Sequence, residues 1–236
     1  MGTTFAPGSR ETSASSTLAS TLASDLREAI LAGRMAPGSK LNLDELRTHF
    51  GVSLSPLREA LSRLTAEGFV TVEEQRGYRV TAVSEANCKE VTRLRAEFEV
   101  LALTESIRNG DNEWEARVVG AYHWLAKVDN STERLRNVQE WERLHRVFHH
   151  TLASACGMPL LLQFCGQLHD MFDRYRRLFL AEHPVDKDVP GEHRAMMQAA
   201  LDRDARKAGN ILRQHIERVG DNVLPYVIRG TASRGS

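Results

Sequence analysis

The stretch LDELRTHFGVSLSPLREALSRLTAEGFV, residues 43 to 70, constrains what this chain can fold into more than any other. LDELRTHF (43–50) is a short amphipathic segment stopped by Gly51. VSLSPLREALSRLTAEG (52–68) then sets Leu57, Leu61 and Leu64 at three- and four-residue intervals, the repeat of one helix face. A hydroxyl at Ser53 or Ser55 can accept from the free amides of the first turn, and Pro56 fits there because no amide partner is missed. The reading is helix, tight glycine turn, helix. Upstream, Leu18, Leu22, Leu26, Ala29 and Ile30 mark a first helix closed by Gly33 and Pro37-Gly38. Downstream, FVTVEE (69–74) and YRVTAV (78–83) flank Gln75, Arg76 and Gly77 as a hairpin. Three helices and a hairpin predict a winged helix-turn-helix.

Beyond Ser84 there is no strand pattern. Long amphipathic stretches are separated by weak breaks at Asn109-Gly110, Asp129-Asn130, Gly157-Met158-Pro159, His183-Pro184 and about Asp202 to Asp204, which gives six helices with faces wide enough for a bundle core. The predicted fold is therefore mainly α. Residues 1–16 form a structureless tail rich in Ser and Thr, 17–83 the winged unit, 84–229 an all-helical unit, and 230–236 a second tail. Coiled-coil oligomerisation is the alternative for the helices, but heptads are not sustained.

With 42% hydrophobic residues the chain can bury real cores, yet no run approaches the roughly 18 to 20 apolar residues of a membrane span, and the polar start lacks the layout of a secretion signal. A cytoplasmic protein is expected. Cys88, Cys156 and Cys165 form no C-x-x-C, so they read as buried or idle thiols. The 31 basic and 31 acidic residues cancel, and the winged unit itself holds eight of each between Thr17 and Val83. No global field announces nucleic acid, so binding there would need a basic face doubled by dimerisation.

In such a fold the second helix of the pair enters the major groove by its N-terminal end. That end carries Ser53, Ser55 and Arg58; Arg58 contacts a base or phosphate, or else pairs with a nearby acid on its own surface. Arg76 and Gly77 stand at the hairpin tip, where Arg can enter a minor groove and Gly admits close backbone approach, unless the tip is an ordinary exposed turn.

The second unit is conspicuous for histidine. His145 and His149 in WERLHRVFHHTL are four apart and share a helix face, whereas His150 points roughly 100° away from His149. His193 precedes Asp204 by eleven residues and His215 follows it by eleven, so a chain reversal at Asp204 sets both about 16 Å from the turn, at one level of the bundle. Imidazoles projecting from three helices form a candidate site for a divalent transition metal; otherwise His193 and His215 are surface residues matched by chance. Trp114, Trp124 and Trp141 read as core.

The run GVSLSPLREALSRLTAEGFV (51–70) with RGYRV (76–80) resembles the N-terminal domain of GntR-type bacterial transcription regulators, in register through the turn, the P-x-R-E-A-L segment and the wing. That resemblance implies DNA contacts at Ser53, Ser55, Arg58, Arg76 and Gly77. Leu54 and Asp44 stand where the family often carries arginine. LHRVFHHTLASACGMPLLL (144–162), Glu192-His193 and the Asp204 to His215 segment resemble the all-helical FCD effector domain of the FadR-like branch. Many such domains bind Zn or Ni through one Asp and three His and leave positions open for a carboxylate. Carried over, the histidines are His149, His193 and His215, and His145 occupies the Asp position. Arg95 matches an Arg four before a Glu that often opens the first helix of this domain, where a guanidinium facing the cavity would suit a carboxylate; the alternative is a solvated Arg paired with Glu99, and Arg174, Tyr175 and Arg176 are weaker candidates.

Together these readings predict a homodimeric, ligand-responsive regulator, a repressor in the commoner mode. It would bind a pseudo-palindromic double-stranded DNA operator and sense a small carboxylate through a metal at His145, His149, His193 and His215, with Arg95 at the effector. The alternatives are a regulator that senses the metal itself and an all-α metal-dependent enzyme; against the latter, no general acid or base is evident beside the histidines.

Overall fold

The computed structural model describes residues 11–74, 76–129, 138–182 and 188–232. The chain forms two compact units, Met1–Val83 and Ser84–Ser236.

The first unit holds α1 (Glu11–Leu31), α2 (Leu43–Phe50) and α3 (Leu54–Ala66), with a small antiparallel sheet of β1 (Lys40–Leu41), β2 (Val70–Glu73) and β3 (Gly77–Val80) in the order β1-β3-β2. The winged helix-turn-helix is mainly as expected. Leu22, Leu26 and Ile30 from α1 meet Leu57, Leu61 and Leu64 from α3 and Phe69 and Val80 from the wing in one buried core. Each fully buried side chain of this kind stabilises by roughly 1.5–3 kcal/mol.

Two features depart from expectation. α1 begins at Glu11, so residues 11–16 of the expected tail are helical. No Gly or Pro lies between Ser9 and Gly33, and once Leu22 and Leu26 anchor the helix each added residue costs no new nucleation. Residues 1–10 of that tail, and Gln75 of the hairpin, lie outside the described residues. β1 went unforeseen because two residues carry no periodicity; it exists through pairing with β3, Lys40 opposite Arg79 and Leu41 opposite Tyr78.

The glycine turn behaves as the sequence requires. Gly51 closes α2 at φ 63° and donates its amide to the Arg47 carbonyl. A Cβ added there would meet nothing within 4 Å, so the cost of Gly51→Ala is the backbone conformation alone. The expected loss is about 1–2 kcal/mol in denaturant unfolding of the winged unit; an unchanged midpoint would contradict the left-handed turn.

Among the described residues the second unit has six helices, α4 (Glu85–Asn109), α5 (Asn112–Asp129), α6 (Val138–Ala153), α7 (Pro159–Glu182), α8 (Val189–Leu201) and α9 (Ala205–Ala232). α9 runs through Gly230 to Ala232, three residues into the expected second tail, since one Gly in a helix costs only about 1 kcal/mol. Residues 233–236 lie outside the described residues. The core collects Leu103, Trp114, Leu125, Trp141, Phe148, Met196 and Leu212. Both buried indoles are satisfied, Trp114 Nε1 donating to the Thr151 carbonyl at 3.0 Å and Trp141 Nε1 to Asp129 Oδ1 at 2.7 Å. Trp124 is not core as expected: it is 56% exposed, on the solvent face of α5, with the Lys127 ammonium 4.1 Å from its ring centroid. Residues three apart share a helix face, and here that face is wet. No helix among the described residues is long and apolar enough to cross a membrane.

α8 and α9 reverse around Asp204, whose carboxylate accepts from the Lys207 amide at 2.9 Å and starts α9. Arg203 completes the turn at φ 58°, its guanidinium donating to the carbonyls of Ile107 and Gly110. That reversal is what brings His193 and His215 to one level.

Candidate metal centre

Inside the second unit one nitrogen from each of His145, His149, His193 and His215 lies within 4.8 Å of the others, all four residues being buried. The ring centroids of His145 and His149, one turn apart on α6, are 4.4 Å apart; His193 on α8 lies 5.1 Å from both His145 and His215 on α9. His150 is exposed and outside the cluster. A fifth ring belongs to it that the sequence did not suggest: His169, on α7, has its centroid 5.5 Å from that of His145. It stands alone in QLHDMF with no spacing signal, and only tertiary packing brings it in.

The partners of these rings divide them into two kinds. His193 Nδ1 lies 2.7 Å from Asp129 Oδ2 and His215 Nδ1 lies 2.6 Å from Glu192 Oε2. A carboxylate accepts only, so each Nδ1 carries the proton and each Nε2 keeps its lone pair. His149 Nδ1 is oriented more loosely, 3.9 Å from Glu99 Oε2. The opposite holds for His145, whose Nδ1 is 3.3 Å from Arg176 Nη1, and for His169, whose Nδ1 is 3.4 Å from Arg95 Nη2. A guanidinium only donates, so these Nδ1 atoms accept and the ring proton sits on Nε2. For His169 that proton faces Asp173 Oδ1, 3.7 Å away.

Burial sets the protonation states. Desolvation, followed by neighbouring imidazoles and guanidinium groups, pushes His145, His149 and His169 well below the ordinary histidine range, and desolvation brings His215 down to about 4 against the opposing pull of Glu192. Burial would raise Glu192, but hydrogen bonds from His215 and Arg218 outweigh it and hold the carboxyl at about 2. Neutral imidazoles are the form that binds metals.

The donor set fits a divalent ion. Nε2 of His149 and of His193 are buried with no hydrogen-bond partner among the described residues. Such orphaned acceptors are costly unless something ligates them. Carboxylate-backed imidazoles on facing helices are the usual outer support of a zinc site, because the carboxylate fixes ring and tautomer and raises ligand basicity. The cysteines are not part of it: all three are free and buried, and burial pushes the Cys165 thiol up to about 12.

Histidines whose folded pKa lies below the unfolded value of about 6.5 take up protons on unfolding, so stability is full above that pH and falls as pH drops toward about 4. Metal-free protein is expected to melt at progressively lower temperature from pH 7 to pH 5; a flat profile would mean that the histidines are not buried together.

Arg95 pairs with Glu99, its Nε 2.7 Å from Glu99 Oε1, but it is buried rather than solvated: the guanidinium lies over Phe172 beside His169. Arg176 is buried against Asp173, at 2.8 Å, and over the Trp141 ring. Tyr175 donates to Asn87 Oδ1 at 2.6 Å and is structural. In the first unit Ser53, Ser55 and Arg58 are exposed at the start of α3, where Ser53 is the N-cap residue without a side-chain cap bond. Arg58 has no ion-pair partner among the described residues, unlike Arg63 five residues on, which pairs with Glu59. Arg76 and Gly77 are exposed beside the wing turn, Gly77 at φ 87° and paired opposite Glu73. Asp44, where an arginine is frequent in the related pattern, pairs with Arg47 at 3.3 Å.

Comparison with known proteins matches residues 90–218 to the FCD domain and residues 18–80 to the family described as bacterial regulatory proteins, gntR family. The chain is 40% identical over 194 residues to BphR of Paraburkholderia xenovorans, named an uncharacterized HTH-type transcriptional regulator, covering 81% of this chain and 79% of that one. It is 34% identical over 195 residues to the HTH-type transcriptional repressor GlaR of Escherichia coli, covering 81% and 89%. In structure it is similar to Escherichia coli McbR/YncC, with a TM-score of 0.67 at 21% identity over 86% of this chain and 96% of that one.

Proposed function

This chain belongs to the GntR family of bacterial regulatory proteins and carries an FCD domain, so it is a DNA-binding transcriptional regulator and not an enzyme; from that premise we propose that it is a cytoplasmic homodimeric repressor, released from a pseudo-palindromic operator by a small organic acid bound at a zinc or nickel centre in the helical unit. His149, His193 and His215 would hold the ion through Nε2, supported by Glu99, Asp129 and Glu192. When bound, the ion supplies a Lewis-acidic centre for an anionic oxygen. The observation that carries this reading is the pair of buried Nε2 atoms without partners, on rings whose other nitrogen faces a carboxylate.

The chain's own residues give the site its charge. Among the described residues no carboxylate joins the ring nitrogens that converge, so the ion would keep more of its charge than beside an Asp. An anion is the complement. His145, with its proton on Nε2 and Arg176 behind it, serves as a hydrogen-bond donor next to the ion rather than as a fourth ligand. His145→Ala should therefore retain the ion, with affinity changed by less than about tenfold, the low end of what an outer partner contributes. Chelator competition measures this; a loss as large as that of His193→Ala would make His145 a ligand.

The acid can act on DNA only through different affinity for the bound and free states of the protein. Elemental analysis of the purified protein, followed by melting with zinc or nickel before and after chelation, tests the centre. One ion per chain and a chelator-reversible rise in melting temperature are expected, since a ligand at 1,000 times its Kd stabilises by about 4 kcal/mol. No ion and no rise would overturn the metal reading. A metal-sensing regulator would differ in one result: DNA affinity would follow metal concentration with no acid present.

A further inference from the structure

Beside the histidines lies a cavity of about 320 Å³, walled by α4, α6, α7 and α9. Apart from Val147, His150 and Thr151 of α6, its lining is sorted by polarity, and the sorting runs the same way on the helices that form it. On α4, Glu99 is followed one turn later by Leu103; on α6, His149 is followed by Leu152 and Ala153; on α7, His169 is preceded by Cys165 and Leu162; on α9, Leu212 stands one turn before the cluster residue His215. The antiparallel senses of the helices cancel, so one end of the cavity is polar and the other, a turn or about 5–6 Å away, is apolar. The Glu99 carboxylate at the polar end is already neutralised by Arg95, 2.7 Å away, and does not oppose an anion. The unpartnered Nε2 of His149 belongs to that same end.

We propose that this cavity receives the apolar body of the effector, so that the acid recognised is a monocarboxylate carrying one ring or a chain of about five to eight carbons, and not a compact polar acid. The inference rests on the effector reading above and sharpens it. Size supports it: a cavity of about 150 Å³ lined by Leu, Ile and Phe accommodates benzene, and this one is about twice as large. A compact dicarboxylate would leave Leu103, Leu152 and Leu212 facing empty space, or would bury a second charge among them, since Arg146, also on the lining, is already paired with Asp170 and Asp173.

Gly166 gives the test its control. It lies on α7 at the lining of this cavity, is exposed, and a Cβ added there meets nothing within 4 Å. Gly166→Leu therefore intrudes on the cavity without a backbone clash, at a helical position where leucine is the better helix former. Calorimetric titration of zinc-loaded full-length protein would use hexanoate and 3-phenylpropanoate against acetate and succinate, with metal content and melting temperature recorded for both proteins. A buried methylene contributes roughly fourfold, so hexanoate is expected to bind at least about 30-fold more tightly than acetate. Gly166→Leu should lose at least about tenfold for the two larger acids and less than about twofold for acetate, with metal content unchanged. If acetate or succinate binds as tightly as hexanoate and 3-phenylpropanoate, or if Gly166→Leu leaves the larger acids unaffected, the apolar-body inference is wrong and the effector reading stands. If none of the four acids binds, both fall.

Discussion

Replacing His193 by Ala is expected to abolish zinc and nickel binding, a larger loss than the roughly 10- to 100-fold that follows removal of an outer hydrogen-bond partner. His193 is the most deeply buried ring of the cluster, at 0% exposure, and its Nδ1 is fixed by Asp129 at 2.7 Å. Asp129 is itself held by the Trp141 indole, so ring, tautomer and backing carboxylate form one packed assembly. Asp129→Asn keeps the size and the Trp141 contact but presents an amide that no longer fixes the proton on Nδ1. It should weaken binding by about 10- to 100-fold without abolishing it. Chelator competition read by mass spectrometry separates the two. Equal affinity in wild type and His193→Ala would mean that the cluster is a buried polar core and nothing more.

The second large effect is expected at Arg58. It is exposed at the start of α3, lacks an ion-pair partner among the described residues, and is flanked by the exposed hydroxyls of Ser53 and Ser55. Arg58→Ala should cost about 1–3 kcal/mol per half-site, hence about 2–6 kcal/mol for a dimer on both halves of its operator. Arg76→Ala, at the wing, should reduce affinity more evenly across sequences and lower the salt dependence by about one contact per protomer. Anisotropy with operator and scrambled DNA distinguishes the two. Were Arg58→Ala to weaken both DNAs equally, Arg58 would be a phosphate contact that carries no sequence preference. Because the winged unit has equal numbers of basic and acidic residues, little non-specific attraction masks either change.

What the sequence made legible has a physical pattern. The winged unit was readable because its signals are local: a glycine that must be left-handed at Gly51, a leucine face on α3, two short β runs about a tip. β1 was not readable, since a two-residue strand has no signal of its own. Of the histidine cluster, four members were foreseeable from an i,i+4 pair and from two positions equidistant from a chain reversal. His169 was not, nor was the distinction between rings backed by carboxylates and rings backed by guanidinium groups. Asp129 lies far from His193 in sequence, and Arg176 far from His145, so those pairings exist only in the packed bundle. Glu192 illustrates the same limit: it adjoins His193 in sequence, yet it reaches across to His215 on the next helix. Trp124 shows the converse error, an aromatic assigned to the core by its residue type although its helix face is wet.

The most direct test is DNA affinity as a function of acid concentration, measured on one operator for metal-loaded wild type and for His193→Ala. The acid should be the one that most stabilises the wild type. In wild type the acid is expected to change operator affinity by about 5- to 150-fold, the usual range of coupling between two sites. His193→Ala should bind the same operator with unchanged affinity and show no response to the acid. An equal response in both proteins, or none in the wild type, would contradict a metal-held acid in the helical unit as the signal that governs the winged one.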